Sequence, residues 1–336
     1  MGFESFIGNP KHIERLRTKL RQNRFPHGLI FSGPEGIGKR TCATMVAKAL
    51  NCVASEPDDF CGTCDPCRKI DAGTHPDVSV IGIEEEASEI KIDQVREAIR
   101  LLGFQPLEGR NKVYIIDPAD LLNASSANAM LKALEEPPEN SYLILITKRL
   151  HAILPTVRSR CQSYAFTPLS LDELRRYNYS SDELLLRWCR GSIGTLKALD
   201  AATLKRQREI ILNFIETAVF ASEDQFRDLL AAAKEVSGTK QDFASHLEML
   251  GVMFEDLLYL REGMADRIVN VDIRPRLEKL SEETTAELWI RLAEFLGTME
   301  SSMKTHVNRP MLTEVLALHA NINVEKILDD NPARSR

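Results

Sequence analysis

The stretch GLIFSGPEGIGKRTCATMVAKAL, residues 28 to 50, constrains this chain more than any other feature. A short apolar run leads into a loop with Gly33, Gly36 and Gly38, then Lys39, then a helical pattern. Glycines at these positions let backbone N–H groups turn inward, and the helix that follows adds the positive end of its dipole. A strand–loop–helix with this GxxxxGK spacing is a phosphate cradle, in which the lysine reaches the terminal phosphates and the next residue offers a hydroxyl to Mg²⁺. That next residue is Arg40. Thr41 lies one helical step further, about 100° round, and is expected to point elsewhere.

Four more apolar runs follow: VSVIGI at 78 to 83, VYIID at 113 to 117, YLILIT at 142 to 147 and SYAF ending at 166. Between two of them Ile92, Val95, Ile99 and Leu102 recur at helical spacing. Nearly continuous β-branched runs separated by helices predict strands buried on both faces, hence a parallel sheet in a three-layer α/β domain. After Pro168 the pattern changes. Ser170 with Glu173 and Ser180 with Glu183 predict two capped helices, the second stopped by Gly191. From about 203 onward the chain carries no strand signal. Phe243, Leu247, Leu250, Phe254, Leu257 and Leu258 form one apolar stripe, and Leu288, Leu292, Phe295 and Leu296 another. Core packing is the simpler account of both stripes, and an oligomer interface is the alternative.

The 336 residues predict two or three domains, divided at 1–168, 169–202 and 203–336. The start, MGFESFIGNPKHIERL, carries charges throughout, so neither a secretory signal nor a membrane span is expected and the prediction is a cytoplasmic protein. A formal charge of −6 argues against a protein whose main task is coating nucleic acid. Arg96 and Arg100, one turn apart, could meet a phosphate backbone, although a solvated helix face is the plainer reading.

Cys52, then eight residues, then CGTCDPC supplies four thiols, Cys52, Cys61, Cys64 and Cys67, with two C-x-x-C steps. Two residues between thiolates is the spacing with which a turn grips zinc, and four sulfurs close the coordination sphere. The expectation is a structural zinc clip; Cys42, Cys161 and Cys189 are expected to be buried small residues. For nucleotide hydrolysis an acid must hold the metal and a carboxylate must orient water. Asp117 ends its strand and suits the first role, whereas Pro118 stands where the second group belongs.

In order along the chain, PHGLIFSGPEGIGKRT, the four-cysteine insertion, VYIIDPAD, NAMLKALEEPP, LILIT and LPTVRSRCQ resemble the clamp-loader subunits of bacterial DNA polymerase III, members of the AAA+ proteins. The resemblance covers most of residues 1 to 200 and, more loosely, the helical remainder. It implies a P-loop parallel-sheet module with the zinc clip inserted, a small helical lid and an all-α collar that assembles a ring. It also implies an arginine finger at Arg160, reaching the ATP site of a neighbouring subunit, with Arg158 a weaker candidate, and a sensor threonine at Thr147. The family holds ATP-hydrolysing gamma or tau motors and a delta-prime, or stator, branch. Arg40, Pro118, and Gly194 in GSIGTL, where motors carry an arginine, fit the stator branch.

Gly33, Gly36, Gly38, Lys39, Thr41, Asp117 and Thr147 then outline a degenerate pocket, for which ATP, ADP or phosphate binding stays open. The implied partners are gamma/tau and delta subunits, with the sliding clamp and primed DNA reached through the complex. The rival expectations are an active motor that tolerates Arg40, and a stand-alone DNA-binding protein of the same fold.

Overall fold

The computed structural model describes residues 2–54, 56, 58–84, 89–176, 180, 182–302 and 308–321. The five apolar runs form strands β1 Gly28–Ser32, β2 Val78–Ile81, β3 Lys112–Ile116, β4 Ser141–Thr147 and β5 Gln162–Ala165. They make one parallel sheet in the order β2-β3-β4-β1-β5. Every residue of β1 and β3 is buried, which is why these central strands lack polar alternation, while the outer β2 and β5 are partly exposed.

Successive side chains go to opposite faces. Leu29 and Phe31 join one core with Val113, Ile115, Ile144 and Ile146. Against this core pack α1 (Pro10–Arg21), through Ile13, Leu16 and Leu20, and α2 (Lys39–Asn51), through Cys42 and Val46. The short α3 (Asp65–Asp71) adds Cys67 and Ile70. On the other face Ile30, Tyr114, Ile116, Leu143 and Leu145 meet α4 (Ile92–Leu102), whose buried residues are Val95, Ala98 and Leu102. Pairing of β1 with β4 sets Ser32 beside Thr147, so the glycine loop, Asp117 and Thr147 gather at the carboxyl edge of the sheet. That edge is where open α/β sheets receive ligands.

The chain separates into two compact units: Met1–Tyr179 with Cys189–Lys197, and Ser180–Trp188 with Ala198–Arg336. Ser170 and Glu173 form the expected reciprocal cap. At the next helix, Glu183–Trp188, Asp182 caps the N–H of Leu184, and the Ser180 hydroxyl accepts from Asp182. Among its described residues the second unit contains helices joined by loops and no strand. Both apolar stripes lie in its core: Phe243, Leu247, Leu250, Phe254 and Leu257 from the helix Lys240–Arg261, and Leu288, Leu292 and Leu296 from the helix Ala286–Ser302. Leu258 and Phe295 pack at the margin of the same core. A buried carboxylate, Asp256, takes the N–H groups of Val269 and Asn270, both at 2.8 Å, and fixes the turn before the helix Arg274–Glu283. Among the described residues no helix is long and apolar enough to cross a membrane.

Candidate functional site

Two groups of candidate residues sit at opposite ends of α2. At its start the loop uses positive φ at Gly33 (138°), Gly36 (71°) and Gly38 (93°), a region in which side chains are strained. A Cβ on Gly33 would also stand 2.3 Å from the carbonyl oxygen of Phe166. Lys39 is only 6% exposed, and its ammonium donates to the carbonyls of Gly33, at 2.5 Å, and of Pro34. Burial lowers the pKa of Lys39 against the upward pull of Asp117 and Glu35.

Arg40, from the first turn of α2, lies 3.7 Å from the carboxylate of Asp117 at the end of β3. Burial pushes the Asp117 carboxyl up, and Arg40 and Lys39 pull against it. Thr147 is buried, and its hydroxyl both donates to the carbonyl and accepts from the N–H of Arg149, each at 3.0 Å. Lys148 pairs with Glu35 across the mouth at 2.5 Å.

These groups border a cavity of 780 Å³, within the range of nucleotide and cofactor sites. Thr41, Gly36, Gly38, Lys39, Asp117 and Thr147 all line it. Gly33 stands behind, shaping the loop. Sequence reasoning missed the N-terminal wall of Ser5, Phe6 and Ile7, and also Glu35, Lys148 and Lys197. Its only local signal is the apolar pair Phe6–Ile7 in a charged stretch. Gly194 donates its N–H to the Gly36 carbonyl at 2.9 Å, and a Cβ on Gly194 would come within 2.9 Å of the Gly36 Cα. The position read as a lost arginine is thus a backbone seat for the loop.

At the far end, Cys52 caps α2, Cys61 and Cys64 lie on the following loop and Cys67 lies in α3. The four sulfurs all fall within 4.8 Å of one another, close enough to hold a metal ion. A tetrahedron with metal–sulfur bonds of about 2.3 Å has edges of about 3.8 Å. Cys52 and Cys64 sulfurs are 3.9 Å apart, which matches such an edge. The sulfur of Cys61 accepts from the N–H of Thr63 (3.4 Å), its hydroxyl (3.6 Å) and the N–H of Cys64 (3.2 Å). These donors bring its pKa down to about 6. Backbone donors aimed at a sulfur favour the thiolate that a metal needs.

Of the remaining cysteines, Cys42 and Cys189 are buried as expected. Cys161 is only half-buried, because it sits at the surface start of β5, although burial of its thiol pushes it up to about 12. Arg160 lies at the surface away from the cavity; it donates to the Thr156 carbonyl at 2.9 Å and pairs with Glu135 at 2.6 Å. Arg96 and Arg100 are exposed and face carboxylates of their own helix, Asp93 at 3.8 Å and Glu97 at 2.7 Å.

A family model described as DNA polymerase III, delta subunit, matches residues 8–170, and one described as DNA polymerase III, delta subunit, C terminal, matches residues 204–321. The chain belongs to the DNA polymerase III clamp-loader subunit family. One relative is DNA polymerase III subunit delta' of Bacillus subtilis, 25% identical over 335 residues, 95% of this chain and 94% of the relative. The delta' subunit of Pseudomonas aeruginosa is 40% identical over 139 residues, 41% of this chain and 42% of the relative. Subunit tau of Bacillus subtilis is 28% identical over 330 residues, 90% of this chain and 58% of the relative. The chain spans about half the length of the tau relatives it matches, 58% in Bacillus subtilis and 44% in Escherichia coli.

Proposed function

We propose that this chain is the delta-prime, or stator, subunit of a clamp loader that places the sliding clamp on primed DNA in the cytoplasm. Its own ATPase site is disarmed, and it supplies Arg160 to a neighbouring gamma or tau motor, alongside a delta subunit. The observation that carries the reading is the Arg40 guanidinium beside Asp117, at the point where a hydrolysing loop requires Mg²⁺. Pro118 beside the same acid, the backbone seat at Gly194 and the Thr147 hydroxyl engaged by Arg149 support it. End-to-end correspondence with a delta' relative supports it further.

In this reading residues 169–202 act as the lid and the helical bundle from 203 as the collar. Arg160 suits a finger because it is surface-placed and held in a defined direction by Thr156 and Glu135. Cys52, Cys61, Cys64 and Cys67 would hold zinc, which would close the loop after α2 as a structural clip and take no part in hydrolysis. Thr41 and Asp117 belong to the degenerate pocket, where nucleotide or phosphate still fits.

The test is ATP turnover by the purified chain and by a reconstituted loader carrying Arg160→Ala. The isolated chain should show negligible turnover; a rate typical of motors would sink the stator reading. A finger is worth about 10³ to 10⁵ at its own interface, so hydrolysis at that one site should be lost while assembly persists. Unchanged turnover by the mutant loader would remove Arg160 from the role.

A further inference from the structure

In a Mg²⁺-dependent loop the divalent cation lies between the phosphates, the hydroxyl that follows the lysine, and an acid at a neighbouring strand end. This chain has the acid, Asp117, but fills the space toward it with a cation of its own. Arg40 reaches from the first turn of α2 to 3.7 Å from the Asp117 carboxylate. That separation gives ion-pair attraction but exceeds a hydrogen bond, so the pair does not saturate the guanidinium. A guanidinium carries five N–H donors in a planar fork and can face a carboxylate on one edge and phosphate oxygens on another.

We propose that Arg40 takes the place of the divalent cation, so that this pocket binds a nucleoside di- or triphosphate without Mg²⁺. The inference rests on the reading of the pocket as retained but disarmed for hydrolysis. Three observations carry it. The loop keeps its glycine geometry and a buried Lys39, the parts that hold phosphate. A divalent ion placed at Asp117 would meet the fixed positive charge of Arg40 at close range, which disfavours the ion. The cavity of 780 Å³ continues past the loop to Phe6, Ile7 and Ile193, an apolar lining suited to a base and unnecessary for bare phosphate. A pocket of this design retains its ligand and lacks the metal that would polarise the phosphate for attack.

The experiment is equilibrium binding of ADP and ATP to the full chain by calorimetry, in EDTA and in Mg²⁺. The wild-type chain should bind equally in both. Arg40→Thr, which restores a hydroxyl at the metal position, should lose about tenfold or more in EDTA, the scale of one charge-assisted hydrogen bond, and recover in Mg²⁺. Arg40→Lys should remain independent of Mg²⁺. The Arg40 side chain is 62% exposed, so all three chains should fold alike, and a thermal melt checks this. Wild-type binding that disappears in EDTA, or Arg40→Thr binding that ignores Mg²⁺, would overturn the proposal. Inorganic pyrophosphate displacing ADP at equal affinity would overturn its nucleotide part. If the wild type bound no nucleotide under either condition, the metal substitution would fail while the stator reading stood, because that reading is judged by loader turnover with Arg160→Ala.

Discussion

The two ends of α2 have kept different things. At the C-terminal end a complete donor set survives, four sulfurs within 4.8 Å with backbone N–H groups aimed at them. At the N-terminal end the cradle and Lys39 survive, but a guanidinium faces the acid and a proline follows it. A structural metal needs every ligand, because its contribution is the closure itself. Hydrolysis needs more groups than binding does, so a pocket can lose turnover and still keep its shape and its ligand.

The largest test of this contrast is at the cysteines. Cys64→Ser should lower the metal content from about one ion per chain to none and reduce the melting temperature by about 10 °C or more, read by elemental analysis and calorimetry. A melting temperature that does not move would mean that the four cysteines hold no structural metal.

Next is the brace beside that end. The buried Asp77 carboxylate accepts the N–H groups of Leu107, Glu108 and Gly109, each at 2.8 Å, while Asn51 of α2 takes those of Arg110 and Asn111. Burial pushes the Asp77 carboxyl up, but these donors and His75 outweigh it and leave it below the ordinary aspartate value. A depressed carboxylate contributes stability above its unfolded pKa, near 3.9, and loses that contribution as pH falls through the folded value. Asp77→Asn should therefore cost about 2 kcal/mol at pH 7, with the difference from wild type shrinking in denaturant melts below about pH 4.

At the loop end, Gly194→Ala forces a Cβ to within 2.9 Å of Gly36 and should cost about 1 to 2 kcal/mol in a denaturant melt. Full tolerance would show the seat to be loose. The smallest effect is expected at Glu135→Gln, about 0.5 kcal/mol or less, since its pair with Arg160 is half-exposed. A large loss there would make Arg160 a structural arginine and weaken its assignment as a finger.

Much of this arrangement was legible in the sequence, because strand runs, the glycine loop and the cysteine spacing are local patterns. The sheet follows the five apolar runs, and the two helical stripes proved to be core. What escaped was set by distant pairing. The wall of Ser5, Phe6 and Ile7 meets a loop some thirty residues later in the chain, with no periodic signal to announce it. Gly194 registered as a missing arginine, while its contact with Gly36 could come only from the fold. Arg40 could be recognised as the wrong residue for a metal ligand; its orientation toward Asp117 depends on β3 lying near β1 across β4. Cys161, outside the cysteine cluster, was expected to be a buried small residue and lies half-buried just before β5, the strand at the sheet edge.

Phe3 donates its N–H to Asp59 at 2.9 Å and sets its ring against Phe60, just ahead of Cys61, while Arg21 and Arg17 hold Asp58. Two residues later the same strip of chain becomes the front of the cavity. The pocket's front panel therefore hangs from the cysteine loop, whose Cys52 closes a helix of about 20 Å that begins at the glycines. Slackening at one end would be felt as a gap at the other, through a short bypass running outside the helix.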